Sequence, residues 1–143
     1  MTTVEASTRP PSADAVKVLL PYEPQSAAEA RRLVRTTLRS WGLEDLVEAG
    51  ELIVSELVGN AVRTGCRRRM TVTVERITGR CVRISVSDGS RALPCLIEAG
   101  TSAESGRGLA LVHHLTGGHW GASLEGLGKT VHADLHTHAP SQA

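Results

Sequence analysis

The stretch SELVGNAVRTG, residues 55–65, combines a run of apolar residues with two polar ones, Glu56 and Asn60. Apolar residues recur at helical spacing through residues 43–64, which predicts a helix with one wide hydrophobic face. Because Glu56 and Asn60 are four residues apart, their side chains project from the same side of that helix. This side is opposite the hydrophobic face. A buried carboxylate is costly unless a partner compensates its charge. The pair therefore either forms a partly solvated seam or lines a pocket.

The apolar face of this helix is expected to contact the protein core. It consists of one row of residues three or four positions apart, widened by three neighbours. A polar seam of Glu56, Gly59, Asn60 and Arg63 occupies the opposite side of the helix. Gly65 is expected to end the helix. The apolar row comprises Leu46, Ala49, Ile53, Leu57 and Ala61, and its neighbours are Leu52, Val58 and Val62.

The remaining pattern predicts five strands, two further helices and a mobile loop over residues 95–105. Ser26 is expected to cap the first helix and Gly42 to end it. Short glycine turns between alternating segments favour hairpins. The order of elements predicts an α+β fold, a two-layer α/β sandwich with helices on one face of a mixed or antiparallel sheet. The predicted strands cover residues 15–20, 70–77, 81–87, 119–124 and 130–136, and the predicted helices cover 26–41 and 108–115.

Length and composition narrow the class of protein. A chain of 143 residues fits one domain, expected over residues 14–137, with a disordered tail at 1–13 and a flexible C-terminus at 138–143. A formal charge of +1 and only 2% aromatic residues argue against direct binding of nucleic acid or of a membrane. The chain shows neither a signal peptide nor an apolar run of the roughly 20 residues that span a bilayer. Three cysteines without CxxC spacing favour a reducing compartment, so we expect a cytoplasmic protein.

Two further features could contribute to the same site as Glu56 and Asn60. Asp88 ends a strand, and its carboxylate could accept a hydrogen bond from an exocyclic amine such as adenine N6 or bond its own backbone in a turn. The segment SGRGL, residues 105–109, puts two glycines where the next helix is expected to begin. Their amides could bind an anion, or the glycines could serve only the loop. The chain has no GxxxxGK[ST] motif, so a nucleotide would not be held by a P-loop.

In this order and spacing, the three features resemble the GHKL ATPase superfamily, which has the Bergerat fold. The nearest resemblance is to anti-sigma-factor serine/threonine kinases and related single-domain bacterial regulators, and it extends over about residues 15–135. SELVGNAVRTG is similar to the N box of this superfamily, and VSDGSRALP and SGRGLALV are similar to its first and second glycine boxes. GKTVHADL is similar to its closing strand.

The resemblance implies a role for each candidate residue. Glu56 would be the catalytic base, and Asn60 would bind Mg²⁺. Asp88 would contact the adenine of ATP, with support from Thr130. The loop before Ser105 would form a lid over ATP, and the amides of the second glycine box would bind its phosphates. The cofactor-binding residues of that box would be Gly106, Arg107, Gly108 and Leu109.

The chain departs from the usual motifs at several positions. Gly59 and Thr64 stand where these regulators usually have Thr and His. Ser90 and Leu93 leave the first glycine box without the complete DxGxG pattern, and Glu104 stands where the kinases often have Arg. These departures bear on kinase activity more than on the fold or on nucleotide binding.

Two functions follow from the resemblance. In the first, an ATP-binding regulator that uses Mg²⁺ sequesters a sigma factor and phosphorylates a serine of an anti-anti-sigma (STAS-type) protein, and it could form a homodimer. In the second, the same fold acts as a non-catalytic binding module with little or no ATP turnover, which the substituted N box and Glu104 favour. A fragment of a sensor histidine kinase is disfavoured, because no phospho-acceptor helix is visible before the domain.

Overall fold

The computed structural model describes residues 15–64, 70–88, 103–125 and 128–138. The predicted tail at 1–13, most of the predicted loop over 95–105 and the residues after His138 lie outside this part of the chain. The described elements are β1 (Ala15–Leu20), α1 (Ser26–Ser40), a 3₁₀ turn (Glu44–Leu46), α2 (Val47–Thr64), β2 (Met70–Thr78), β3 (Cys81–Asp88), α3 (Ala103–Thr116), β4 (Trp120–Glu125) and β5 (Gly128–His136).

The described strands form one antiparallel sheet in the order β1-β2-β3-β5-β4. β2 and β3 form the predicted hairpin, in which Thr73 lies opposite Ser85. β5 lies between β3 and β4, although it follows both of them in sequence. The sequence left a mixed sheet possible, and the register shows antiparallel pairing between all the described strands. The predicted α+β sandwich is confirmed.

The sheet has one apolar and one polar face, because successive side chains of a strand point to opposite sides. The helices cover the apolar face: a Cβ atom added at Gly50 of α2 would lie 3.6 Å from Cδ1 of Ile84 in β3. The polar face carries half-buried hydroxyl, imidazole and charged side chains. The apolar face is formed by Met70, Val72, Val74, Val82, Ile84, Val86, Val131, Ala133 and Leu135, all of them buried.

The predicted apolar row of α2 is confirmed at its centre and wrong at one edge. Ile53, Leu57, Val58 and Ala61 are buried, whereas Leu52 is 45% exposed. Leu52 belongs to the side of α2 that borders a surface groove shared with α1. The row is therefore narrower than its sequence suggests, because Leu52 lines this groove instead of packing into the core.

The sequence predicts the C-terminal end of α1 correctly and the N-terminal cap of α1 incorrectly. Gly42 has a φ of +74°, a conformation that glycine adopts without strain, so the predicted stop is confirmed. The predicted cap is wrong, because Gln25 occupies the N-cap position without a side-chain cap and Ser26 is the first helical residue. The Ser26 hydroxyl instead donates to the carbonyl of Pro21 at 2.8 Å, which ties the helix to the end of β1.

An ion pair and a packed histidine occupy the polar face of the sheet. Arg83 donates two hydrogen bonds to Asp134, of 2.8 and 3.0 Å, from the adjacent strand. Burial opposes ionisation of Asp134, but the Arg83 hydrogen bond and charge, helped by nearby His132 and His136, hold the pKa of the carboxyl below its usual value. The imidazole of His132 lies over Gly121, where an added Cβ atom would come within 3.1 Å of Cε1. Burial lowers the pKa of His132, the charge of Arg83 lowers it further, and Asp134 opposes both.

None of the helices in the described ranges has the length and hydropathy that a membrane span requires.

Candidate functional site

The polar seam of α2 contains a buried amide with an unsatisfied group. Asn60 is only 4% exposed, and its Nδ2 atom has no hydrogen-bond partner among the described residues. Glu56, one turn earlier, is half-buried. Buried amides almost always have partners, and leaving one without a partner costs about 1–3 kcal/mol. Asn60 is therefore the residue of α2 whose structure most directly indicates a ligand.

The three elements that carry the predicted motifs pack against one another. α2 contacts β3 and α3, and α3 in turn contacts β5. The three elements that carry the predicted motifs therefore pack together on the helix-covered side of the sheet. That the motif residues themselves border one site stays a prediction.

The structure puts Lys129 and not Thr130 opposite Asp88. In the register of β3 with β5, Asp88 pairs with Lys129, and Ser87 pairs with Thr130. The hydroxyl groups of Ser87 and Thr130 are 2.7 Å apart on the polar face of the sheet. Thr130 thus has its contact on the side of the sheet away from the helices, and the expected partnership of Thr130 with Asp88 does not match this register.

Lys129 is the residue that motif matching missed. It is 2% exposed and lies on the same face of β5 as the buried residues Val131, Ala133 and Leu135. Lysine is rarely buried to this extent. The signal was present in the sequence, because the alternation of GKTVHADL assigns Lys129 to the apolar face and Thr130 to the polar one.

The second glycine box lies inside α3 and not in front of it. The helix begins at Ala103, five residues before the predicted start, so Gly106, Arg107 and Gly108 belong to its first two turns. Only the first turn of a helix leaves its amides without intrahelical partners, and these amides can bind an anion. Gly106 lies at the edge of that turn and Gly108 beyond it, whereas Leu109 is buried in the core, with 2% exposure.

The donor groups of the seam fit a hard cation accompanied by phosphate oxygens. An asparagine amide can turn to present either Nδ2 or Oδ1, and the oxygen is a ligand that Mg²⁺ accepts. Within the described ranges, no group of three or more His, Cys, Asp or Glu residues is arranged to hold a metal ion by itself. The chemistry of Asn60 therefore fits Mg²⁺ that is bound mainly through a nucleotide, which is how proteins usually hold this ion.

A separate surface groove lies between α1 and the first half of α2. Its volume is about 680 Å³, and neither Glu56 nor Asn60 lines it. Two interactions cross it: Arg35 pairs with Glu51 at 3.1 Å, and Arg31 donates to the Ser55 hydroxyl at 2.9 Å. Because Glu51 already pairs with Arg35, and Arg39 with Glu44, this groove is a weaker candidate for a small-molecule site.

Comparison with known proteins agrees with the geometry. The family model of the histidine kinase-like ATPase domain matches residues 20–132, which begin at the end of β1 and end within β5. The matched region includes every candidate residue from Glu56 to Thr130. No curated protein matches the chain.

Proposed function

The chain belongs to the histidine kinase-like ATPase domain family, and from this membership we propose that it is an ATP-dependent regulator of the anti-sigma-factor kinase type. Family membership implies that the domain binds a nucleotide. The finer assignment, to a kinase that controls a sigma factor, rests on the N box, the two glycine boxes and the closing strand quoted from the sequence.

The observation that carries the proposal is the state of Asn60. The residue is only 4% exposed, and its Nδ2 atom lacks a partner in the described part of the chain. A group of this kind is costly in a protein that binds nothing there, and it becomes favourable when a ligand supplies the missing interaction. The position of Asn60 in the N box makes the phosphates of a nucleotide and their Mg²⁺ the proposed ligand.

In the proposed reaction, Glu56 accepts the proton of a serine hydroxyl of the partner while the serine oxygen attacks the γ-phosphorus of ATP. The bond between serine oxygen and phosphorus forms, the bond from phosphorus to the bridging oxygen of the β-phosphate breaks, and ADP leaves. Asn60 would help to hold Mg²⁺, which neutralises phosphate charge when bound. Asp88 would accept a hydrogen bond from the base, and first-turn amides of α3 would bind phosphate oxygens.

The proposed partners are a sigma factor, which the protein would sequester, and a STAS-type anti-anti-sigma protein that carries the phosphorylated serine. A homodimer would agree with the same subtype. These assignments follow from the resemblance of the motifs to the anti-sigma-factor kinases, and the compartment that fits them is the cytoplasm.

A two-step experiment tests the proposal. Isothermal titration with ATP, in the presence of Mg²⁺ and again with EDTA, should give binding that Mg²⁺ strengthens. Incubation with γ-³²P-ATP and a serine-bearing STAS partner, with a Ser→Ala variant of that partner as control, should label only the serine form. If ATP binds neither with Mg²⁺ nor with EDTA, the nucleotide site is refuted.

A second candidate is the non-catalytic binding module. It is favoured by Gly59 and Thr64, which replace the usual N-box residues, and by Glu104, which stands where the kinases often have Arg. ATP binding without transfer to any STAS partner, together with stable capture of a sigma factor, would support this module over the kinase.

A further inference from the structure

Four of the six histidines of the chain line one cavity, which we call the histidine cavity. Its volume is about 490 Å³, and it lies where the end of α3 meets the start of β4 and the end of β5. His114 belongs to α3, His119 directly precedes β4, His136 ends β5 and His138 follows it. None of the described residues that line the cavity is a lysine, an arginine or a carboxylate. The cavity therefore collects imidazole nitrogens without a charged side chain among them.

A sharp turn after α3 brings His119 into this cavity. Gly117 and Gly118 have φ angles of +64° and +88°, a left-handed conformation that glycine adopts without strain. The amide of Gly118 donates to the carbonyl of His113 at 2.8 Å and so closes the helix. The chain then reverses, and the ring of His119 lies against the backbone of Thr116 in the last turn of α3.

The hydrogen bond of His119 leaves one of its ring nitrogens as a potential metal ligand. Nδ1 of His119 lies 2.9 Å from the carbonyl oxygen of Thr116. A carbonyl oxygen only accepts hydrogen bonds, so Nδ1 carries the proton and donates it. In the neutral imidazole, Nε2 then keeps its lone pair. A backbone carbonyl holds many metal-binding histidines in this way, and it fixes both the tautomer and the orientation of the ring.

His136 lies beside His119 at a distance that suits a shared metal ion. The two ring centroids are 5.4 Å apart, and the ring planes are inclined by 61°. Two imidazoles that bind one tetrahedral zinc ion, each at a Zn–N distance of about 2.1 Å, have ring centroids roughly 5 Å apart. The side chain of His136 is exposed, and exposed side chains change rotamer within nanoseconds, so its ring can turn a nitrogen toward the ion.

We propose that the histidine cavity binds a divalent transition-metal ion of the zinc type through Nε2 of His119 and a ring nitrogen of His136. The described residues contain no three side chains that already surround a metal position. His114 or His138, which are exposed and line the same cavity, would supply the third ligand after a change of rotamer, and water would complete a tetrahedral set. Imidazole suits Zn²⁺, Ni²⁺ and Cu²⁺, whereas Mg²⁺ prefers oxygen ligands. This site would therefore be distinct from the proposed Mg²⁺ site at Asn60.

Titration of the full chain with Zn²⁺, without a histidine tag, tests the proposal. Isothermal titration should give one ion per chain with a dissociation constant of about 10 μM or below, and a hundredfold excess of Mg²⁺, roughly, should not change it. His119→Gln and His136→Gln each remove one ligand at an exposed position, and each should weaken Zn²⁺ binding by about tenfold or more. Near-UV circular dichroism verifies that each variant retains the native fold.

His113→Gln is the matched control. His113 is also exposed and lies next to His114, but it is not among the described residues that line the cavity. Its Nδ1 atom accepts a hydrogen bond of 3.1 Å from Nε1 of Trp120. The His113→Gln variant should bind Zn²⁺ with the affinity of the unaltered chain.

Nuclear magnetic resonance of the imidazole nitrogens identifies the ligands independently of the affinity. The ¹⁵N signals of His119 and His136 should shift when Zn²⁺ is added, and those of His113 should stay in place. Binding weaker than about 10 μM, or binding that survives both ligand substitutions, would refute the site and leave only scattered attachment to surface groups. None of these measurements requires a nucleotide, so the metal site and the proposed ATP site are tested separately.

Discussion

Gly50 of α2 and Val34 of α1 lie so close that a Cβ atom added at Gly50 would come within 2.9 Å of Cγ1 of Val34. The side chain of Leu38 would be only 3.1 Å away. A β-branched side chain in a helix has little rotamer freedom, so Val34 cannot easily yield. The contact between the two helices therefore depends on the absence of a side chain at Gly50.

Gly50→Ala is expected to lower the free energy of unfolding by about 1 kcal/mol, although Gly→Ala in a helix usually stabilises by a similar amount. Overpacking in a core costs about 1–3 kcal/mol and decides the sign here. Urea denaturation measures the change. Gly79→Ala is the control, since a Cβ atom at Gly79 would have no neighbour within 4 Å. A stabilised Gly50→Ala variant would contradict the close contact.

Two leucines of α2 should respond very differently to the same truncation. Leu57 is 2% exposed and Leu52 is 45% exposed. Leu57→Ala should cost about 2–5 kcal/mol, because it leaves a cavity in the core. Leu52→Ala should change the free energy of unfolding by no more than about 0.5 kcal/mol. Equal costs in urea denaturation would mean that Leu52 is buried in solution.

His132 should make the protein less stable in mild acid. Its pKa in the folded state is lowered from the ordinary value of 6.5 by burial and by the charge of Arg83. Just below that value the unfolded chain binds more protons than the folded one, so stability falls as the pH falls. His132→Gln should flatten the pH dependence of the unfolding free energy between about pH 7 and 5. His114, which is exposed, provides the control substitution.

Asp88→Asn should weaken ATP binding by about tenfold or more, because a hydrogen bond to a charged acceptor is worth roughly 1.5–3 kcal/mol. Isothermal titration against the unaltered chain measures the change. Ser87→Ala, at the neighbouring position on the polar face, should bind ATP normally. An unchanged affinity in Asp88→Asn would remove Asp88 from the base contact.

Glu56→Ala should leave ATP affinity within about threefold of normal and lower phosphoryl transfer by about a hundredfold or more, as expected for a general base. Transfer of ³²P to a STAS partner is the measurement. Glu48→Ala, an exposed position of the same helix, is the matched control and should behave like the unaltered chain. Loss of ATP binding in Glu56→Ala would instead indicate a structural role.

Local patterns were sufficient for the type and order of the described helices and strands, but not for all of their ends. The alternation in β1 and the row on α2 follow from burial of one face, and Gly42 ends α1 because its backbone needs a positive φ. The early start of α3 was not visible, since two glycines lower helix propensity and packing against α2 outweighs them. The exposure of Leu52 depends on where α1 lies, which no local pattern contains.

The sequence names candidate site residues, and their binding roles stay predictions. Asn60 was singled out by its position four residues after Glu56 and by its place in the N box, and the structure adds that its Nδ2 atom has no partner among the described residues. Thr130 was assigned by similarity to a motif, whereas the phase of β5 puts Lys129 on the helix-covered face. A shift of one residue along a strand reverses the face, so strand alternation is the better guide there.

The position of β5 between β3 and β4 has a consequence for biosynthesis. Until β5 has been translated, β3 and β4 have no common partner, and β3 keeps an unpaired edge in the nascent chain. Such edges promote association between incomplete chains. We therefore expect ribosome-bound fragments that stop before Gly128 to depend on chaperones, and native structure to appear only once the closing strand has emerged.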